Sequence, residues 1–496
     1  MSLFLNLLVL SILLLLAFLK YSHSYWKRRG VPHEAPPFPW GDFKEWRNTK
    51  CFYEILTPIY KKFKGIAPFA GMFMALRPVA LIMDPDLVKS ILIKDFNHFR
   101  ERGIFSNVRD DPLTGHLFAL EGTKWRELRH KLSPAFSSGK MKHMYSIVVK
   151  VAEEFKKVLD EKQATAAGGV IEITDLLSCF TADIIGVCAF GIECNSLRNP
   201  QAEFVVMGRK ANTERRHGLL LDQFIEAAPK LARTLRMRQI PQDVNDFYMG
   251  IVRETIEYRE RTGVKHNDLM DVLLELKTKD GKDGGLTVNE IVAQAFVFLV
   301  AGFETSSSTM GYALYELAKC QDIQNRLRAE INEVLKRHNN QFTYESMQDM
   351  RYMEQVISET LRRYPILPHL VREADINYKT TDSRFTIEKG TMVIIPVYEL
   401  HHDPEYFPNP EKFDPERFSE AEIKTRPTCT YVPFGDGPRN CIGFRFGKMQ
   451  VCIGLTYLVR HFKFSVCGET EEHLNFLVEK MILQPVNGIK LRVERL

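Results

Sequence analysis

Pro433-Phe434-Gly435-Asp436-Gly437-Pro438-Arg439-Asn440-Cys441-Ile442-Gly443 sets one cysteine at the end of a glycine-rich loop, with an apolar, helix-compatible run at 444–458 behind it. Gly435 and Gly437 open positive φ to the loop, so it can turn tightly and aim its N–H groups inward. A thiolate at a helix start, facing backbone donors, is expected to have a lowered pKa and to ligate a metal well. Arg439, two residues before the cysteine, is placed to pair with an anionic group on the same ligand. Gly443, two residues after, lets a flat ligand come close to the helix. A buried, inert cysteine ahead of a helix would share this local pattern.

The spacing of Phe434, Gly437, Arg439, Cys441 and Gly443 resembles the haem-binding loop of the cytochrome P450 family. The resemblance implies one mainly α fold with a small β-rich lobe, haem b as cofactor, and Cys441 as the axial thiolate and sole protein ligand to the metal. It covers essentially the whole chain, and the C-terminal half is most similar to animal microsomal members, in particular the insect xenobiotic-metabolising branch (family 6).

Length and composition narrow the field. A chain of 496 residues alone would suggest about three domains. The resemblance instead implies one catalytic domain over 42–496, preceded by an anchor at 1–20 and a basic, proline-rich hinge at 21–41. A net charge of +5 is too modest for a nucleic-acid binder, and 33 Phe point to a large apolar interior or ligand surface. The 9 Cys are odd in number, scattered, and include no Cys-x-x-Cys pair. That argues against a disulfide framework or a structural zinc site and fits a reducing compartment.

The run 3–19 is apolar apart from Asn6 and Ser11, close to the ~20 residues that span a bilayer. A cleaved signal peptide is the alternative. No basic residue precedes the run, no small-x-small site follows it, and Lys27-Arg28-Arg29 lie just beyond. Positive charge on that side predicts that the rest of the chain faces the cytosol. Prolines at 32, 36, 37 and 39 predict a semi-rigid, extended hinge.

Further along, 69–83 reads as strands around Arg77-Pro78, and Asp84-Pro85 opens a helix. The stretch 99–120 has no clear period, and 277–285 reads as a polar loop. Trp125 and Arg129 are four apart and share a helix face. A surface cation–π pair would look the same, but the resemblance implies that this helix donates to a haem propionate. Arg126, His130, Lys131, Lys140, Lys142, Arg445 and Lys448 would together form a basic patch on the thiolate side, suited to an acidic electron donor, although any one is ordinarily a solvated charge. The stretch 231–238 is basic and apolar together, either a membrane-interface segment or an ordinary amphipathic surface.

Thr287-Val288-Asn289-Glu290 is a capping box, and no proline follows until well past Cys320, which predicts a helix on the order of 45 Å long. Residues 296–301 are apolar all round, so this helix runs through the core. Gly302, Glu304 and Thr305 sit in that apolar middle, where polar groups are costly without partners. Thr305 alone could bond back to the Ala301 carbonyl. The sequence Ala301-Gly302-Phe303-Glu304-Thr305 resembles the family's oxygen-activating motif; the resemblance implies that Gly302 opens the helix and that Thr305 and Glu304 relay protons. Val297 and Ala301, at spacings of four before Thr305, are expected to line the substrate cavity, as are Ile366, Leu367 and Leu370.

Glu359 and Arg362 would ordinarily be an i,i+3 surface pair. By resemblance they form a buried structural triad with Arg417 of Pro415-Glu416-Arg417-Phe418, and Arg372 is a second propionate contact. His401 and His402 are expected to be structural, since the family's axial ligand is the cysteine. The implied reaction is monooxygenation: one oxygen atom of O2 enters an apolar small molecule, xenobiotic or endogenous. No Gly-x-Gly-x-x-Gly stretch exists, so NADPH is expected on a separate cytochrome P450 reductase in the endoplasmic reticulum membrane, with cytochrome b5 as a further donor. A haem-thiolate isomerase or dehydratase of the same fold would need no reductase and usually lacks the helix threonine, so Thr305 and Glu304 count against it. A membrane-anchored haem sensor or carrier would have no use for the relay residues or a large pocket.

Overall fold

Long amphipathic and apolar runs make this chain mostly helical; among the described residues there are three small sheets, one of which packs on the helical core. The computed structural model describes residues 2–266, 268–277 and 285–496. The loop expected at 277–285 lies outside these apart from its two ends. The helices that matter here are α1 (Ser2–His23), α2 (Gly122–Leu132), α3 (Ser138–Thr165), α4 (Thr174–Ile185), α5 (Leu219–Ala227), α6 (Pro229–Thr234), α7 (Val288–Lys319), α8 (Arg351–Arg363) and α9 (Phe444–His461).

The longest of them, α7, has 32 residues, or about 48 Å. The capping box forms as read: Glu290 N donates to Thr287 Oγ1 at 3.3 Å, and Thr287 N donates to Glu290 Oε2 at 2.9 Å. Its flanks pack against α4 and α9, and most of its side chains are buried. Gly302 does not open the helix, correcting the expectation. Residues 288–319 stay helical, and the missing Cβ instead admits Ile185 of α4, whose Cδ1 would lie 2.5 Å from it.

Strands β1 (Phe69–Met74) and β2 (Arg77–Ile82) pair antiparallel, as the pattern at 69–83 suggests. The remaining strands are β3 (Val170–Glu172), β4 (Leu370–Glu373), β5 (Tyr378–Lys379), β6 (Thr386–Ile387), β7 (Met392–Ile395), β8 (Phe462–Ser465) and β9 (Lys490–Arg495). The main sheet runs β1-β2-β7-β4, with β2 and β7 parallel. Pro78 is tolerated within β2 because pairing with β7 begins only at Val79. The Asp84 carboxylate then accepts from Asp86 N at 2.7 Å and caps the short helix Pro85–Lys89.

Among the described residues, beside two clusters of three residues each, two large apolar cores result. One unites the helices, including Trp125, Phe180, Phe296 and Leu361; the other holds the β-rich lobe, including Trp26, Phe69, Val79 and Ile394. Tyr431 and Val432 pack on the β-side core, while Phe434 and Ile442 pack on the helical one. The cysteine loop therefore lies along the seam between the two.

The terminal helix α1 presents its apolar run outwards, with no part of it buried. It continues through His23, past the expected limit at residue 20. The hinge expected at 21–41 is docked on the β-rich lobe instead of standing free. Trp26 is fully buried and donates from Nε1 to Met72 O at 2.8 Å, in the space left by Gly71. Arg29 pairs with Glu388 at 2.8 Å, and Gly71 N donates to Pro32 O. Burying one large aromatic outweighs the freedom of a short proline-rich spacer.

Candidate active site

The loop positions its cysteine through backbone geometry. Gly435 and Gly437 both take φ of +68°, and a Cβ on Gly437 would overlap the Leu92 carbonyl. Cys441 N donates to Phe434 O at 2.8 Å and closes the turn. Gly443 then caps the N-terminus of α9, and a Cβ there would meet only the Phe136 ring, at 3.7 Å. Among the described residues no cluster of three or more His, Cys, Asp or Glu could hold a metal ion.

Cys441 opens into a chamber at the seam. Its thiol has accessible surface there, yet lies deep in the molecule, and burial pushes its pKa up. The Gly443 N–H and the Arg129 and Arg102 guanidiniums pull the other way but do not win. The lowered pKa expected from the helix start is thus reversed in the chain alone, because desolvation exceeds what the dipole and two cations return. A cationic metal centre at the sulfur would supply the missing stabilisation.

Around the cysteine four guanidiniums converge: Arg102, Arg129, Arg372 and Arg439 all line the chamber. Arg439 lies over the Trp125 ring at 4.1 Å and pairs with Glu101 at 3.1 Å, while its Nε and Nη1 are buried without partners. Arg372 is buried, and its Nε also lacks a partner. Burial lowers Arg439 to about 10 and Arg372 to about 9, with Arg439 adding to the effect on Arg372. Arg129 donates from Nη1 to Asn440 O at 2.9 Å and from Nη2 to Asn440 Oδ1 at 2.7 Å, which ties α2 to the loop.

Buried, unpartnered guanidinium donors beside one another are costly unless an anion meets them. A ligand carrying two carboxylates next to a metal would satisfy these donors, and haem, with its two propionates, fits that description. The sequence reading missed Arg102 and His369. Arg102 lies in the aperiodic 99–120 stretch, where no spacing marks it; it donates to Phe118 O at 2.6 Å, and burial followed by the Arg372, Arg439 and Arg129 charges pushes its pKa far down. His369 lines the chamber, is stacked on Phe52 at 3.6 Å, and has an unpartnered Nδ1.

Thr305 faces the chamber together with Val297, Ala301, Ile366, Leu367 and Leu370, so the expected cavity residues do share one space. The Thr305 hydroxyl donates to Ala301 O at 2.5 Å. Glu304 does not join it. One residue further round α7, its carboxylate is buried against Lys480 at 3.4 Å, with Oε2 unpartnered, and burial raises its pKa. The helical step of about 100° separates two groups that are adjacent in sequence.

Outside the chamber, Glu359 and Arg362 form a fully buried pair at 2.7 Å, and Arg417 approaches Glu359 at 3.5 Å. Arg362 Nη1 donates to His401 O at 3.0 Å, and Val432 N donates to His401 Nε2 at 3.0 Å, just before the cysteine loop. His401 is thus a strut between triad and loop, kept neutral by burial. His402 stacks on Tyr398, away from the chamber.

The family model for cytochrome P450 matches residues 32–493. The chain is 54% identical to the probable cytochrome P450 6a23 of Drosophila melanogaster over 100% of both chains. It is 50% identical to that fly's cytochrome P450 6a2, over 99% of both chains. With the cytochrome P450 6A1 of Musca domestica it shares 46% over 97% of this chain and 96% of the other. Seam, cysteine loop and guanidinium cluster agree with these matches: the chain belongs to the cytochrome P450 family, haem-thiolate monooxygenases that carry haem b on a cysteine and use O2 on apolar molecules.

Proposed function

We propose that Cys441 is the axial thiolate of a monooxygenase that hydroxylates lipophilic xenobiotics at the endoplasmic reticulum membrane, with the catalytic domain over 42–496 facing the cytosol. The observation that carries it is the convergence of Cys441, four guanidiniums and Thr305 on one chamber with apolar walls. Arg439, Arg372, Arg129 and Arg102 would hold the propionates, the Trp125 ring supports Arg439, and Phe434 and Gly443 shape the loop round the sulfur. When bound, haem supplies the oxygen-activating redox chemistry; the chain supplies ligand, cavity and proton path.

Within that division of labour, Val297, Ala301 and Leu370 exclude water and hold the substrate. The Thr305 hydroxyl is the proton-handling group nearest the reaction, and the Ala301 carbonyl orients it. Glu304 acts at one remove, because its carboxylate must leave Lys480 to serve Thr305. Electrons come from NADPH through a separate reductase, with cytochrome b5 as a second donor, at the basic face carrying Arg126, His130 and Arg445. Lys142 and Lys448 on that face already pair with Glu345 and Glu354, so they contribute less charge than the sequence suggests. Helix α6 with its exposed Leu231, and Leu235 just after it, rest at the bilayer surface on the anchor's side.

Cys441→Ala is expected to remove the carbon-monoxide difference spectrum and all NADPH-dependent product formation with purified reductase. Turnover at the native rate in that variant would refute the assignment.

A further inference from the structure

A second cleft, which shares no lining residue with the chamber, opens between residues 106–110, the start of α2 and helix α6. It encloses about 600 Å³. Four exposed cations line it, Arg109 and Lys124 on one side and Arg233 and Arg236 on the other. No carboxylate among the described residues comes within ion-pair distance of any of the four, although the Arg233 charge acts on Glu121 within the cleft. Their neighbours differ: Arg47 pairs with Glu226, Arg215 with Asp222 and Lys230 with Glu373. Two carboxylates, Asp110 and the half-buried Glu121, share the cleft, so it keeps an excess of two positive charges.

The cleft also lies on the anchor's side of the molecule. His23, at the end of α1, bonds to Ala75 O at 3.0 Å on the β1–β2 turn. Arg77, two residues on, pairs with Glu373 at 2.5 Å, and Glu373 pairs with Lys230 of α6 at 2.9 Å. On and just after α6, Leu231 and Leu235 are 50% and 59% exposed, immediately beside Arg233 and Arg236. Apolar side chains that flank guanidiniums held in no direct ion pair, in a cleft with net positive charge, match a ligand with an anionic head and an acyl tail.

We propose that this cleft binds the phosphate-bearing head group of an anionic lipid, with Leu231 and Leu235 in the acyl layer next to it. Arginine pairs bidentately with phosphate, and basic side chains at a bilayer surface attract anionic lipid. This rests on the reading of α6 as a membrane-surface helix, and the site is distinct from the substrate chamber.

The test uses the full-length holoenzyme in detergent doped with equal phosphatidylcholine and phosphatidylserine, repurified, with retained lipid counted by mass spectrometry. Phosphatidylserine is expected to be enriched in the native chain. The K124Q/R233Q variant is expected to lose about fivefold of the enrichment per cation removed, with its carbon-monoxide spectrum unchanged. K379Q/K389Q, an equal loss of two charges on β5 and just after β6, should retain the enrichment; R109Q/R236Q carries the same test if the first variant loses haem. Absence of enrichment, or full enrichment in the cleft variants, would overturn the proposal. So would displacement of the lipid by millimolar inorganic phosphate at constant ionic strength, which would reassign the cleft to a free phosphate. Photoactivatable acyl chains in neutral vesicles separate the two readings. Adducts at 231–235 without enrichment refute the head-group site alone, whereas no adducts refute the membrane placement of α6 as well.

Discussion

Thr305 and Glu304 are neighbours in sequence but answer to different surroundings. The Thr305 hydroxyl stays in the chamber, fixed by the Ala301 carbonyl, whereas Glu304 turns into the protein against Lys480. Thr305→Ala is expected to lower product formed per NADPH on the order of a hundredfold, at the low end for a positioned proton-transfer group, with peroxide rising in its place. Unchanged coupling, measured as product against NADPH consumed, would remove Thr305 from the proton path. Glu399 offers a second residue-level test. It is buried with one oxygen on Thr57 at 2.9 Å and the other unpartnered, and burial raises its pKa to about 8. Between 4.5 and about 8 the folded chain holds a proton that the unfolded chain releases, so stability falls as pH rises across that window. The slope approaches about 1.4 kcal/mol per pH unit. Thermal unfolding of Glu399→Gln between pH 5 and 8 should therefore show a flatter dependence than the native chain; parallel curves would contradict the burial argument.

At the scale of elements, the cysteine loop is held from two sides. Arg129 of α2 ties to Asn440, and the buried Glu359–Arg362 pair of α8 reaches Val432 through His401. Removing one partner of a buried ion pair strands the other, at a cost of about 3–5 kcal/mol. Arg362→Ala is accordingly expected to yield a chain that retains little haem, even though Arg362 touches nothing in the chamber. Normal haem content per polypeptide in that variant would show that the strut is dispensable. The motif around Cys441 was readable because glycine and cysteine at fixed offsets have few other physical uses. Arg102 was not, because it acts from an irregular segment whose position depends on what it packs against.

For the whole molecule, the docking of residues 21–41 makes the membrane anchor and the β-rich lobe one mechanical unit. Deleting residues 2–20 is expected to release the chain from vesicles and leave the carbon-monoxide spectrum intact. Trp26→Ala should instead lower stability by about 3–5 kcal/mol, because it empties a fully buried site on β1. Equal melting temperatures for Trp26→Ala and the native chain would mean that the hinge is free after all.

The local rules of the chain determined a great deal: the capping box that starts α7, the four-residue spacing that turns Val297, Ala301 and Thr305 onto one face, and the paired positive-φ glycines before Cys441. Each depends on residues within a few positions of one another, where backbone geometry dictates which groups meet. Tertiary packing alone decided that Glu304 faces Lys480, that Trp26 locks the hinge to the sheet, and that burial overrides the helix dipole at the Cys441 thiol. Those outcomes depend on groups far apart in sequence and on how much water is excluded between them, quantities that no periodicity encodes.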